Sequence, residues 1–181
     1  MIRKDGGKRF QDVTTSGGFG HLQKGHGIAF GDLDHDGDQD IYTSIGGAYE
    51  GDNYYNALFE NPGHGNDWLK LKLVGVKSNR AAIGARIKVN VEAAEGKRSI
   101  HKTVNSGATF GASPLRQDIG LGKAGPIERV EIWWPASGIR QKLTGIEKNQ
   151  CYLVREGDDQ AMRVPLKAFK FKSSVHAHHH P

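Results

Sequence analysis

Between Trp68 and Val74 the chain places Leu69, Leu71 and Leu73 at every second position, with Lys70 and Lys72 between them. Three large apolar side chains at a two-residue period line one face of a β-strand, whereas on a helix they would scatter around the axis. The pattern predicts leucines turned to a core and the two lysines pointing outward beside Trp68. The same period returns in Ala85, Ile87, Val89 and Val91. It returns again over Arg129–Trp134, where Val130, Ile132 and Trp134 oppose Glu131 and Trp133. Pro135 ends that strand, because proline has no N–H for an interior ladder. Residues 151–155 supply a further strand and Ser99–Val104 a less regular one. Glycines at 75, 84, 107, 111, 120, 122, 125 and 138 break the intervening chain into turns. Many short strands with such punctuation predict an all-β fold, built as an antiparallel β-sandwich. The most helix expected is a short turn near Thr144–Lys148.

The first third of the chain reads differently. Phe10–Thr15, Gly27–Phe30, Ile41–Ile45 and Ala57–Glu60 are short strand-like pieces among glycine-rich turns. Asn61-Pro-Gly-His-Gly-Asn66 has the turn content of a boundary. The expected organisation is an N-terminal region over 1–61, a β-domain over 62–158 and a C-terminal extension over 159–181. Charge divides at the same place. Residues 1–60 hold five Lys or Arg against ten Asp or Glu, a net −5, while residues 61–181 hold 20 against 10, a net +10. The basic charges are scattered among strands, so a solvated basic surface is expected rather than specific nucleic-acid binding. No apolar run reaches the roughly 18 residues that span a bilayer. The first residues lack the apolar stretch of a signal peptide, so an export signal, if the natural protein has one, lies outside this chain. Cys151 is the single cysteine, which excludes a disulfide or a four-thiolate zinc site within one chain.

Five acids fall within nine residues: Asp32, Asp34, Asp36, Asp38 and Asp40, with Gly37 after the third. So many like charges repel unless solvent or a cation neutralises them. Alternate residues can turn oxygens toward one small hard cation, and Gly37 permits the bend. The start matches the calcium loop whose positions 1, 3 and 5 supply oxygens, with glycine at 6 and a carbonyl at 7. The acid expected at position 12 is missing, since Thr43 stands there, and the nearest acid is Asp40 at position 9. The reading is a short Ca²⁺ loop leading into a strand. Asp32, Asp34, Asp36 and Asp40 give side-chain oxygens, and Asp38 gives its carbonyl. Mg²⁺ demands tighter octahedral geometry, and softer metals favour His or thiolate. His35, between ligand positions, is expected to point away. The alternatives are a solvated acidic turn and a catalytic carboxylate pair.

Residues 27–42, Gly-Ile-Ala-Phe-Gly-Asp-Leu-Asp-His-Asp-Gly-Asp-Gln-Asp-Ile-Tyr, resemble an FG-GAP or VCBS-type repeat. Lys4–Thr14 resembles the tail of a preceding repeat, and Asn56–Asn61 the opening of the next. Such repeats form blades of β-propellers with calcium in a short inter-strand loop. The resemblance implies the same ligand roles for the five aspartates and a partial β-propeller-type repeat at the N-terminus. About 60 residues supply one blade and some edge, where a closed propeller needs four to eight. Residues 61–157 resemble the ASPIC and UnbV family, named for a cartilage acidic protein and a bacterial biosynthetic-cluster protein. The matching pieces are Trp68–Gly75, Ser78-Asn-Arg80, Ile83-Gly-Ala-Arg86, Gly120-Leu-Gly122, Val130-Glu-Ile-Trp-Trp-Pro135, Ser137-Gly138 and Asn149. An FG-GAP-type region followed by this domain is the usual order in that family, and it is the order here. The resemblance implies an extracellular or periplasmic protein with a binding or adhesion role, and it carries no catalytic residues across.

A second candidate group is Asn79, Arg80 and Arg86, whose guanidinium forks suit carboxylate or sulfate. Trp68 and Trp133 are candidates for sugar stacking, although alternation puts Trp133 and Trp134 on opposite faces and at least one in a core. Ser99, His101 and several aspartates are all present, but a triad requires a three-dimensional convergence that composition does not show. Cys151 alternates into an apolar strand and reads as packing. Four histidines between 175 and 180 form a tract with affinity for transition metals, whether natural or a cloning remnant. The function expected is a calcium-stabilised, non-catalytic binding module for a glycan or a protein. An accessory domain of a polysaccharide-active enzyme (or a cryptic hydrolase) and a capping or self-association domain are the alternatives.

Overall fold

The computed structural model describes residues 1–5, 8–94, 96–107, 112 and 114–171. The glycine pair at 6–7 and the histidine tract lie outside these residues. Thirteen strands and no helix are present among them, and the turn expected at Thr144–Lys148 is an irregular bend. The fold is all-β.

Strands β1 (Ile2–Asp5) and β2 (Arg9–Asp12) form an exposed hairpin. Strands β3 (Gly25–Gly31), β4 (Asp40–Ile45) and β5 (Ala57–Phe59) form an antiparallel sheet in that order. The aspartate loop is the connection from β3 to β4. The remaining strands are β6 (Asp67–Val74), β7 (Arg86–Ala93), β8 (Gly96–Thr103), β9 (Gln117–Gly122), β10 (Ile127–Trp133), β11 (Arg140–Leu143), β12 (Gln150–Arg155) and β13 (Met162–Val164). They make two four-stranded sheets, ordered β13-β12-β6-β9 and β11-β10-β7-β8.

One cluster of buried apolar side chains draws on both sheets. It holds Leu69, Leu71 and Leu73 of β6 with Ile87, Val89 and Val91 of β7 and Val130 and Ile132 of β10. Trp134 is fully buried and its indole N–H donates to Gln141 Oε1 at 2.9 Å, which satisfies the polar atom of a core tryptophan. Trp133, one residue earlier, faces the other way and is half-buried.

Two expectations need correction. The sheets are not wholly antiparallel, because β12 runs parallel to β6 from Gln150↔Leu69 to Arg155↔Val74. Alternation fixes which face of a strand is apolar but says nothing of its neighbour's direction. Lys70 does not face solvent. It is fully buried, because the N-terminal region covers the sheet face opposite the leucines.

Candidate metal centre and the buried charges beneath it

Gly37 lets the aspartate loop fold against the domain below it. Its φ is +107°, a region for glycine, and a Cβ there would overlap Trp68 Nε1 and Cδ1. Gly37→Ala is therefore expected to destabilise the protein by about 1–3 kcal/mol; chemical denaturation of the two proteins measures it. The loop is knitted by its own acids. Gly37 N–H donates to Asp32 Oδ2 at 3.0 Å, Leu33 N–H to Asp40 Oδ2 at 3.0 Å and Asp36 N–H to Asp34 Oδ1 at 3.2 Å. Asp40 Oδ1 also accepts from Asn61 N–H at 3.0 Å, which ties the loop to the chain leaving β5.

Asp32, Asp34 and Asp40 are all buried, and each offers an oxygen within 4.8 Å of the others. Asp36 is exposed and Asp38 half-buried, and the Asp36 carboxylate accepts from Asp38 N–H at 2.9 Å. Of the four aspartates expected to give side-chain oxygens, Asp32, Asp34 and Asp40 are thus grouped and Asp36 is not. Burial pushes the Asp34 carboxyl up; the hydrogen bond from Asp36 N–H opposes this, and the charges of Asp36, Asp40 and Asp32 add to it. His35 has a left-handed φ of 64°, and its ring meets the edge of Phe169 from the C-terminal extension. Phe169 N–H donates to Asp34 O at 2.9 Å. The extension therefore returns to the loop and fixes its outer side.

Beneath the loop lies a charge arrangement that sequence reading missed. Lys70 Nζ pairs with Asp32 Oδ2, lies 3.8 Å from Asp118 Oδ1 and sits 4.0 Å above the Trp68 ring. Arg116 donates through Nε to Asp118 Oδ1 at 3.2 Å and through Nη2 to the Asp32 carbonyl at 3.3 Å. Two cations thus offset Asp32 and Asp118. Neither Asp34 nor Asp40 is in an ion pair among the described residues. Among the described residues Asp32 Oδ1 is buried with no hydrogen-bond partner. An excess of two buried carboxylates, beside an acceptor left open, fits a divalent cation. A hard oxygen set with no His or Cys among the grouped residues favours Ca²⁺ or Mg²⁺ over softer metals.

The other candidates separate. Asn79 clasps its own turn, accepting from Ile83 N–H at 2.9 Å and donating to Ile83 O at 2.8 Å. Arg80 is exposed beside a groove lined by Lys72, Leu153 and Arg155. Trp68 is half-buried between Gly37 and Lys70, so its ring belongs to the junction. Arg86 and Trp133 do meet, with the guanidinium 4.7 Å from the ring centroid. Ser99 donates to Asn90 Oδ1 at 2.8 Å. Cys151 is buried, and burial raises its thiol.

A second missed residue is Glu156, directly after β12. Its buried carboxylate accepts from Val76, Lys77 and Ser78 N–H at 2.6, 2.8 and 2.8 Å, from Ser78 Oγ at 2.8 Å, and from Ser137 Oγ. It thereby holds the turn that leaves β6. Residues 75–161 match the model of the ASPIC and UnbV family. The match spans 87 of the 181 residues, and over them the chain is similar to that family. No curated protein matches the chain. The ASPIC and UnbV match begins at Gly75, just after β6, and closes at Ala161, before β13. It contains Arg116, Asp118 and Glu156, whereas Lys70 and the aspartate loop precede it.

Proposed function

We propose that the protein is a calcium-stabilised, non-catalytic binding module of an extracellular or periplasmic protein. In this reading residues 27–42 form an FG-GAP or VCBS-type repeat, and the two four-stranded sheets with their shared core form the sandwich behind it. Asp32, Asp34 and Asp40 hold the ion, with the Asp38 carbonyl, Asp36 and water completing the six to eight oxygens that Ca²⁺ takes. When bound, the ion supplies a positive centre that lets the loop carboxylates sit together. The protein's own residues then lock the loop to the domain through Lys70, Arg116 and Trp68. The observation that carries the proposal is the pair Asp34 and Asp40, buried beside the open Asp32 Oδ1 and without a basic partner among the described residues. The non-catalytic part rests on the engagement of Ser99 with Asn90 and on acids committed to hydrogen bonds or ion pairs. No helix among the described residues is long and apolar enough to cross a membrane.

Thermal unfolding of metal-free protein tests this. At a Kd of about 10⁻⁴ M, 10 mM Ca²⁺ adds roughly 2.7 kcal/mol, or about 5–10 °C in Tm for a chain of this size. Asp34→Ala is expected to remove most of the gain, and Asp38→Asn to keep it. No shift in the wild type would contradict the proposal.

A second reading, a capping or self-association domain, is favoured by the three-stranded sheet. Ile28 and Phe30 on one face of it, and the paired Tyr42 and Leu58 on the other, are each a little over 40 % exposed, so both faces of this small sheet carry apolar surface.

A further inference from the structure

The outer face of the β11-β10-β7-β8 sheet carries a row of side chains that neither the calcium loop nor the core uses. In the ladder Trp133 stands between Arg140 on one side and Arg86 on the other. Both guanidiniums lie over its ring, at 5.1 and 4.7 Å from the centroid. The next row on the same face is Lys142, Glu131, Lys88 and His101. Glu131 is the one carboxylate in these rows, and Arg129 binds it at 2.6 Å, holding it below the usual carboxylate range. Arg86, Lys88, Arg140 and Lys142 are in no ion pair among the described residues. A shallow groove of about 220 Å³ runs over them.

We propose that this face binds a sulfated polysaccharide, with Arg86 and Arg140 as the paired sulfate contacts and Trp133 as the residue that holds them apart. The inference rests on the reading of the protein as an extracellular binding module and names its ligand class. Four uncompensated cations fall within two strand spacings across and two residues along, an area of about 10 by 7 Å. A polysaccharide with a single carboxylate per disaccharide brings too few charges to such an area, whereas a multiply sulfated chain brings several. Guanidinium offers sulfate two parallel N–H donors, and stacking on the indole fixes the fork before the ligand arrives. Single-stranded nucleic acid fits less well. Its affinity comes from bases stacked on open aromatic faces, and the indole here is already flanked by guanidinium.

Calorimetric titration with a heparin octasaccharide at 0.15 M NaCl tests the proposal, with a carboxylate-only hyaluronan octasaccharide and a DNA oligonucleotide of matched charge as comparisons. Arg86→Ala with Arg140→Ala is expected to weaken heparin binding at least tenfold, and Arg86→Lys with Arg140→Lys to recover only part of it. Removing the same charge elsewhere, by Arg163→Ala with Lys167→Ala, is expected to change it less than twofold. Absence of heparin binding, equal losses in both alanine pairs, or DNA or hyaluronan binding as tightly as heparin would overturn the proposal. All titrations are run with and without Ca²⁺. Heparin binding that persists when the calcium loop binds no ion would separate the two proposals, leaving this one standing alone.

Discussion

Lys70→Met is expected to destabilise the metal-free protein by about 3–5 kcal/mol, the cost of breaking a buried ion pair from one side. Lys70 is fully buried and its ammonium pairs with the equally buried Asp32. Methionine fills much of the same volume, so the loss is chiefly one of charge: Asp32 and Asp118 remain, with Arg116 as their remaining cation. In the proposed site calcium and Lys70 both draw on Asp32. Each therefore reduces what the other has left to neutralise, and Ca²⁺ is expected to stabilise the Lys70→Met variant more than the wild type. Urea denaturation of both proteins, with and without 10 mM Ca²⁺, measures the coupling. Equal calcium gains in the two would show that the ion and the ammonium act on separate groups.

Glu156→Ala is expected to cost about 3–5 kcal/mol, because three backbone N–H groups and two hydroxyls lose their shared acceptor at a buried site. Glu156→Gln keeps the shape and one carbonyl oxygen, and is expected to fall between. Burial pushes the Glu156 carboxyl up, but the bonds from Ser137, Ser78 and Val76 outweigh it and hold the pKa at about 2 against an ordinary 4.5. The folded state thus releases this proton more readily than the unfolded one. Its contribution is complete above about pH 4.5 and is lost as pH falls toward 2. Denaturation midpoints between pH 6 and pH 2.5 are expected to fall more steeply for the wild type than for Glu156→Gln. Parallel curves would remove Glu156 from the acid response.

These two residues mark where the sequence stops being legible. The leucine face of β6 and the apolar faces of β7 and β10 follow from period-two spacing, a local property. The acidic loop is legible for the same reason, since its five carboxylates and glycine sit within nine residues. Lys70 shares the spacing of an outward lysine and differs only in what covers it, a loop 38 residues earlier. Glu156 is a lone acid after a strand, and the amides it collects lie 78 to 80 residues away. The parallel pairing of β12 with β6 is equally non-local. Of the second candidate group, Arg86 and Trp133 come together through ladder pairing, Asn79 stays with its own turn, and Arg80 is exposed beside a separate groove.

The central claim is one Ca²⁺ held by the buried aspartates of the β3–β4 connection. Isothermal titration of metal-free protein with CaCl₂ tests it most directly, beside Asp34→Ala and Asp38→Asn. One ion per chain is predicted for the wild type, with heat abolished in Asp34→Ala and retained in Asp38→Asn. A wild type that takes up no calcium, or an Asp34→Ala variant that titrates as the wild type does, would contradict it.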